Sequence, residues 1–128
     1  MFSNSLALLT LLASTTLASP APLTKRAPSC GDNGSGYVAV SEAQDCVNYL
    51  NNKGTDDCTV SGENTIFCTS GSTNIYGSNP NLVDSPTSLC RDVAAGAQAI
   101  IDSCTTGSTV AGSNSAGGNG DIIVSINH

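Results

Sequence analysis

Six cysteines are the residues whose type and spacing point most directly to chemistry in this 128-residue chain. An even number of cysteines in a short chain favours disulfides, and six cysteines can pair in fifteen ways. Metal binding is the weaker interpretation, since no Cys-x-x-Cys pair is present and the single histidine is the terminal His128. Three bridges of about 2–4 kcal/mol each matter to a domain stable by about 5–15 kcal/mol. The six are Cys30, Cys46, Cys58, Cys68, Cys90 and Cys104.

Carboxylates offer a second possible chemistry. Asp56 and Asp57 are adjacent, and Asp45 and Glu63 could approach them. Two acids can hydrolyse a glycosidic bond, but an acidic pair just before a cysteine is more typical of a solvated turn. The chain has no Trp and only three Tyr, so it lacks the usual aromatic platform for a sugar. A serine nucleophile would also need a base, and the single histidine is the terminal His128. We therefore expect no catalytic residue. We also expect no metal and no cofactor.

The segment from Asp32 to Gly36 combines oxygen ligands with glycine, which suggests a calcium loop. The terminal glutamate of such a loop is missing at the right spacing, so a simple turn is the better interpretation. The same segment contains an N-glycosylation sequon, Asn33-Gly34-Ser35, and Asn33 is therefore a possible glycosylation site.

The first 26 residues are typical of an export leader. Leu6–Ala18 is an apolar stretch too short to span a membrane, and it ends in small residues, as in a secretory signal peptide. A kexin-type protease would cut after Lys25-Arg26. Cysteines in an exported chain are expected to be oxidised. The expected parts are a signal peptide at 1–18, a propeptide at 19–26 and one secreted, extracellular cysteine-rich domain at 27–128.

The charge balance of that domain disfavours several partners. Lys53 and Arg91 are its only cations, against ten carboxylates, which gives a formal charge of −8. Nucleic-acid binding requires cations that displace phosphate counterions, and anionic lipid is disfavoured for the same reason. No second apolar segment is long enough for a membrane anchor. We therefore expect no nucleic-acid partner and no stable membrane insertion.

The first half of the domain predicts a strand followed by a helix. Tyr37–Val40 is rich in β-formers, and Ser41 with Gln44 three residues later is typical of a capping box. Apolar residues at i, i+3, i+4 and i+7 predict one buried helical face, and Gly54 is a suitable end. The predicted buried face comprises Ala43, Cys46, Val47 and Leu50.

Two strands, Asn64–Cys68 and Thr73–Tyr76, are then predicted on either side of a turn. A second helix is predicted from Asp84–Pro86, where a capping side chain precedes a proline suited to the first turn. Gly96 in this helix costs about 1 kcal/mol relative to alanine, which indicates that another element packs close. Thr105–Gly120 is rich in Gly, Ser and Asn, and most of it is predicted to be an exposed loop. The predicted buried side of this helix comprises Leu89, Cys90, Val93, Ala94, Ala97, Ile100, Ile101 and Cys104.

The last segment alternates Ile122, Val124 and Ile126 with other residues, which predicts a strand with one apolar face. The order strand-helix-strand-strand-helix-strand favours an α+β fold, in which two helices lie on one face of an antiparallel sheet. Sequence alone does not supply the distances that select the disulfides. One pairing that suits this layout is Cys30–Cys104, Cys46–Cys90 and Cys58–Cys68.

Several short motifs resemble fungal secreted proteins. Cys30–Asp32, followed by Asp45-Cys46 and the helical Val47–Leu50, resembles the opening of the necrosis-inducing-factor-like effectors. The later part, with Cys68–Gly71 before a strand and Gly117–Gly120 before the last strand, resembles the fungal killer toxins of viral origin and their chromosomal relatives. The resemblance covers most of the domain and implies a compact α/β sandwich with the element order given above.

These features together predict a secreted, non-enzymatic effector or toxin-like protein that acts on a host or competing microbe by binding. We expect it to be a monomer whose partner is a host or competitor protein or cell-surface component. Tyr76 is the favoured partner contact, although a position in the sheet that covers the core is equally open. Phe67 is expected in the core. Two alternatives remain: a cell-wall or surface-associated structural protein of the producing fungus, and a small hydrolase that uses carboxylates. The large side chains available to a partner are Tyr37, Tyr49, Phe67 and Tyr76.

Overall fold

The structure is a computed structural model that describes residues 27–32, 36–117 and 119–128. The predicted signal peptide, the predicted propeptide and the Asn33 sequon lie outside the described residues. The described part is an α+β fold, as predicted, and none of its helices is long and apolar enough to cross a bilayer. Its elements are β1 (Ser29–Cys30), β2 (Val38–Ala39), α1 (Val40–Lys53), β3 (Asp57–Thr59), β4 (Asn64–Ser70), β5 (Thr73–Ser78), β6 (Thr87–Leu89), α2 (Cys90–Cys104), β7 (Thr109–Val110), β8 (Gly112–Ala116) and β9 (Asn119–Asn127).

Five strands form an antiparallel sheet in the order β1-β8-β9-β5-β4. Side chains alternate between the two faces of a strand, and Ile75, Val124 and Ile126 lie fully buried on the face that joins the core. The helices contact each other and this sheet, α1 at β4 and β5 and α2 at β8 and β9. The predicted element order is therefore extended by five further strands, β1, β3, β6, β7 and β8.

Helix α1 buries the four residues that the sequence predicts, Ala43, Cys46, Val47 and Leu50. It ends at Gly54, which has a positive φ of 58° and donates its N–H to the carbonyl of Asn51. The predicted capping box is wrong, because the helix begins at Val40, one residue before Ser41. The Val40 N–H donates to the carbonyl of Ser108, 2.9 Å away, so a tertiary contact satisfies one of the free N–H groups at the start of the helix.

Helix α2 begins at Cys90, and the predicted start near Asp84–Pro86 is wrong. Thr87–Leu89 pairs as a strand with β3, and Ser85 has a positive φ of 49°, which is incompatible with a helix. The N–H of Cys90 donates to the carbonyl of Asp56, 2.8 Å away. The predicted buried side of the helix is otherwise confirmed from Cys90 to Cys104, while Leu89 lies in β6 and is half-buried.

Gly96 confirms the expected close approach to α2. A Cβ at this position would lie 2.8 Å from the backbone oxygen of Ser115 in β8. The prediction that most of Thr105–Gly120 is a loop is wrong, since the segment contains β7, β8 and the first two residues of β9. Its small residues allow β8 to lie against α2, so packing overrides a weak intrinsic strand propensity.

Three disulfides join all six cysteines. The bridge between β1 and the end of α2 is the pair expected from the sequence. The bonded pairs are Cys30–Cys104 with a Cα–Cα distance of 5.2 Å, Cys46–Cys68 with 5.6 Å and Cys58–Cys90 with 5.1 Å.

The other two expected pairs, Cys46–Cys90 and Cys58–Cys68, are wrong. Strand β3 pairs with β6 and not with β4, so Cys58 lies beside the start of α2 and bonds to Cys90. Cys46, in the middle of α1, faces β4 and bonds to Cys68. Proximity in the folded chain, and not separation along it, selects disulfide partners.

Candidate functional site

Strand β4 lies at one edge of the five-stranded sheet, with β5 as its neighbour. An edge strand leaves a row of backbone N–H and C=O groups without a strand partner. The register between β4 and β5 shifts between Ile66 and Cys68, which makes Phe67 the extra residue of a β-bulge. The bulge re-aims the side chains in the middle of the edge.

The bulge directs two successive residues toward the core. The Phe67 ring lies against Val60 and Gly77, where a Cβ on Gly77 would come within 2.6 Å of Phe67 Cε2. The next residue, Cys68, bonds to Cys46 on α1. Phe67 is half-buried and packs against the core cluster, in agreement with its predicted place. The middle of β4 is therefore attached to the core by the Phe67 ring and the Cys46–Cys68 disulfide.

A groove of about 500 Å³ lies between α1 and this edge strand, and we call it the edge groove. One wall is formed by Asp45 and Tyr49 of α1, and the other by the five consecutive residues Ile66–Ser70 of β4. Tyr49 is 51% exposed and Ile66 is 58% exposed. The Lys53 ammonium lies 5.4 Å from the Tyr49 ring centroid, a cation–π distance that helps to orient the ring.

Glu42 fixes one end of the edge groove. Its carboxylate accepts a hydrogen bond of 2.9 Å from the Thr73 hydroxyl. Thr73 is fully buried at the start of β5. The same carboxylate lies against Gly71 in the turn between β4 and β5, where a side chain would collide with it. The hairpin turn, with Gly71 at a φ of 58°, is therefore tied to the first turn of α1.

Tyr76 lies across from Ile66 on the sheet face that points away from the helices. It is half-buried, and its hydroxyl accepts a hydrogen bond of 3.1 Å from Asn127 Nδ2. Tyr76 and Ile66 thus lie side by side on the outer face of the sheet. Its role as a partner contact stays a prediction.

The four carboxylates considered for hydrolysis do not line a common hollow. Asp45 lines the edge groove, while Glu63 lines a separate hollow with Asn79 and Leu82. Asp56 and Asp57 are exposed and line neither. Among the described residues, no group of three His, Cys, Asp or Glu side chains could hold a metal ion.

A second exposed feature is the loop that follows β5. The Asn79 side chain is buried and holds both backbone groups of Val83, accepting from its N–H at 3.1 Å and donating to its carbonyl at 2.8 Å. The loop presents Leu82, which is 71% exposed and has a positive φ of 53°. This loop lines the hollow with Glu63 and is separate from the edge groove.

Sequence reasoning included Tyr49 among the large anchors but did not single it out, and it missed Ile66. Tyr49 falls outside the apolar helical face that contains Cys46 and Leu50, so its exposure could have been read from the helical period. Ile66 carried no such signal, because an apolar residue in a strand is equally compatible with either face. Only the strand order shows that β4 is an edge.

Residues 25–128 match the model of a family described as Domain of unknown function (DUF8794). The matched range begins at Lys25, within the predicted dibasic site, and contains every described residue. A search of the curated proteins finds no match to this chain.

Proposed function

The chain belongs to the family described as Domain of unknown function (DUF8794), and we propose that it is a secreted, non-enzymatic effector or toxin-like protein that binds a component of a host or of a competing microbe. The observation that carries this proposal is the edge groove. Tyr49 and Ile66, each more than half exposed, flank an open strand edge. Exposed aromatic and aliphatic side chains around a depression are typical of the centre of a binding surface.

The disulfides support an extracellular site of action. Among the described residues no cysteine is free, and such bridges persist in oxidising compartments. The export leader predicted at 1–26 would deliver the chain to such a compartment. A covalently cross-linked domain also resists unfolding in a medium that contains proteases, which suits a protein that acts at a distance from the producing cell.

The proposed likeness to necrosis-inducing-factor-like effectors and killer toxins rests on the short sequence motifs, and the layer arrangement is compatible with it. Two helices pack on the same sheet and share one core with it, as an α/β sandwich requires. From those proteins we propose for this chain only that it acts on another organism. We propose no molecular target from them.

A binding experiment tests this function. The full chain is expressed in a secreting yeast, and the processed protein is recovered, labelled with a fluorophore and applied to plant tissue and to competing fungi. We expect saturable binding to at least one of them by the oxidised protein. Reduced and alkylated protein should not bind, because loss of three bridges of about 2–4 kcal/mol each unfolds the domain.

Matched variants identify the surface. A double variant, Tyr49→Ser with Ile66→Ser, should weaken binding at least about tenfold, as expected for central interface residues. Leu82→Ser removes a side chain that is even more exposed, at a separate site, and should leave binding unchanged. Retention of the protein in the wall of the producing fungus, with no binding to any other organism, would instead support the structural alternative and contradict our proposal.

A further inference from the structure

We propose that the edge groove binds an extended segment of polypeptide that carries one lysine or arginine, and that the segment adds to β4 as a sixth strand of the sheet. This inference rests on the proposed binding function and names the class of partner. It follows from three properties of the groove: an open strand edge, a helix that forms the opposite wall, and a carboxylate on that helix.

The open edge supplies backbone hydrogen bonds. Five consecutive residues of β4, Ile66–Ser70, line the groove, and β4 ends the sheet that the described residues form. The N–H and C=O groups of alternate residues in such a strand point away from its neighbour. An extended peptide can pair with these groups, and pockets for alternate side chains then supply specificity.

The groove is preorganised for an added strand. The Cys46–Cys68 bridge holds α1 and β4 together, and Glu42 ties the turn at the end of β4 to the same helix. Binding therefore orders little of the protein, and the conformational cost falls mainly on the peptide. The bulge at Phe67 interrupts the regular ladder, so the added strand is short.

The direction of the helix along the groove sets the position of each side chain. Glu42 lies at the Gly71 turn, and Cys46 bonds to Cys68, so α1 and β4 run in opposite directions. Asp45 therefore lies toward the Thr69 end of the groove, and Tyr49, one helical turn later, lies toward the Ile66 end.

This geometry predicts the spacing of the bound motif. Tyr49 lies four positions after Asp45 along the helix, a rise of about 6 Å. Two residues of a strand span about 6.7 Å and return to the same face. The segment should therefore place a cation and an apolar side chain two residues apart, as Lys-x-apolar or the reverse order. The cation contacts the carboxylate of Asp45, and the apolar side chain lies against the Tyr49 ring on the same, helix-facing side of the added strand.

Charge complementarity selects a cationic segment over an anionic one. The domain carries ten carboxylates against two cations, and its field repels acidic peptides. Of the groove-lining residues only Asp45 is charged. A single exposed carboxylate contributes a modest and salt-dependent preference. Backbone pairing therefore supplies most of the affinity, and Asp45 supplies the preference for a positively charged side chain over a negatively charged one.

Synthetic peptides test the inference directly. The probes are acetylated and amidated hexapeptides of threonine that contain Lys-x-Val, Lys-x-Leu or Lys-x-Phe, in both orders, added to about 1 mM. The protein is the ¹⁵N-labelled secreted material, observed by two-dimensional NMR. We expect at least one peptide to shift the amide signals of Tyr49 and Ile66–Ser70 in a saturable manner.

Control peptides separate the three parts of the argument. Glutamate in place of lysine should weaken binding by about two- to fivefold, and Asp45→Asn should do the same for the lysine peptides. Asp102→Asn, an exposed carboxylate on α2 outside the groove, should have no effect. Peptides with backbone N-methyl groups, or with the cation and apolar residue adjacent, should lose binding, because they lack the ladder or the spacing.

Several results would overturn the inference. These are no saturable shift with any peptide, shifts confined to the loop at Leu82, equal binding of the glutamate peptides, or shifts of the groove amides by a neutral glucan oligomer in place of peptide. If cell binding still requires Tyr49 and Ile66 while no peptide binds, the proposed function stands and the peptide inference falls. If peptides bind to the groove but the protein binds to no cell, the peptide inference stands and the proposed function falls.

Discussion

Cys46 and Cys68 join the middle of α1 to the bulged edge strand β4, with their Cα atoms 5.6 Å apart. Cys46 is fully buried and Cys68 is half-buried, so the bridge lies between the core and the edge groove. It connects the two walls that carry Tyr49 and Ile66. A bond placed there maintains the width of the groove as well as the stability of the domain.

Removal of this bridge should lower the free energy of unfolding by about 3 kcal/mol. The Cys46→Ala, Cys68→Ala double variant frees a loop with a sequence separation of 22, and the loss of loop constraint in the unfolded chain gives this magnitude. Urea denaturation followed by circular dichroism measures it. The native secondary structure should persist in the absence of urea, and a loss under about 1 kcal/mol would show that the bridge adds little beyond local packing.

The Cys30–Cys104 bridge should be the first to react with a limiting amount of dithiothreitol. Cys30 is exposed, whereas Cys46, Cys58 and Cys90 are buried, and thiol–disulfide exchange requires access of the attacking thiolate to sulfur. Alkylation followed by peptide mass spectrometry identifies the reduced pair. Early labelling of Cys58 or Cys90 would contradict the exposure difference.

Gly96→Ala should destabilise the protein by about 1–3 kcal/mol, although alanine is the better helix former. The added Cβ would lie 2.8 Å from the Ser115 backbone oxygen, so α2 and β8 would have to move apart. Thermal and urea unfolding measure the change.

The neighbouring position supplies the control for Gly96. Ala95 is exposed on the same helix, and Ala95→Gly should cost about 1 kcal/mol through helix propensity alone. If Gly96→Ala instead raised the stability by a similar amount, propensity would outweigh the contact with β8.

Leu82→Asn should raise the free energy of unfolding by about 1 kcal/mol. Leu82 has a φ of 53°, a conformation that costs most L-residues about 1–2 kcal/mol and that asparagine tolerates. Its side chain is 71% exposed and adds little to the core. Leu82→Ala keeps the Cβ and should change the stability by less than about 0.5 kcal/mol. Equal effects of the two substitutions in urea unfolding would show that backbone strain is not the cause.

Local periodicity predicted the helical faces correctly. Ala43, Cys46, Val47 and Leu50 recur at helical spacing, and all four are buried, because a helix places such residues on one side whatever it packs against. The final strand followed from alternation for the same reason, with Ile122, Val124 and Ile126 fully buried. These signals need no knowledge of neighbouring elements.

Features that depend on partners distant in the sequence were not predictable. Helix α2 begins at Cys90 and not near Asp84–Pro86, because Thr87–Leu89 pairs as a strand with β3. The segment expected to be a loop contains β8, since β9 supplies its hydrogen bonds and α2 its packing. Neither partner can be identified from the composition of the segment itself.

The candidate site also has one feature that the sequence predicts and one that it does not. The exposure of Tyr49 could be read from its position outside the apolar stripe of α1. The open edge beside it could not, because it depends on β4 having β5 as its neighbour in the sheet order. The acidic charge of the domain was evident from composition.

The amino-acid sequence by itself determined the class of fold, the buried faces of its helices and last strand, and the acidic charge, because each depends on residue type and short-range spacing. Tertiary structure alone decided which cysteines bond, where α2 begins, and that β4 forms an edge beside Tyr49. Those outcomes depend on contacts between residues far apart in the chain, which form only when the whole core is packed at once.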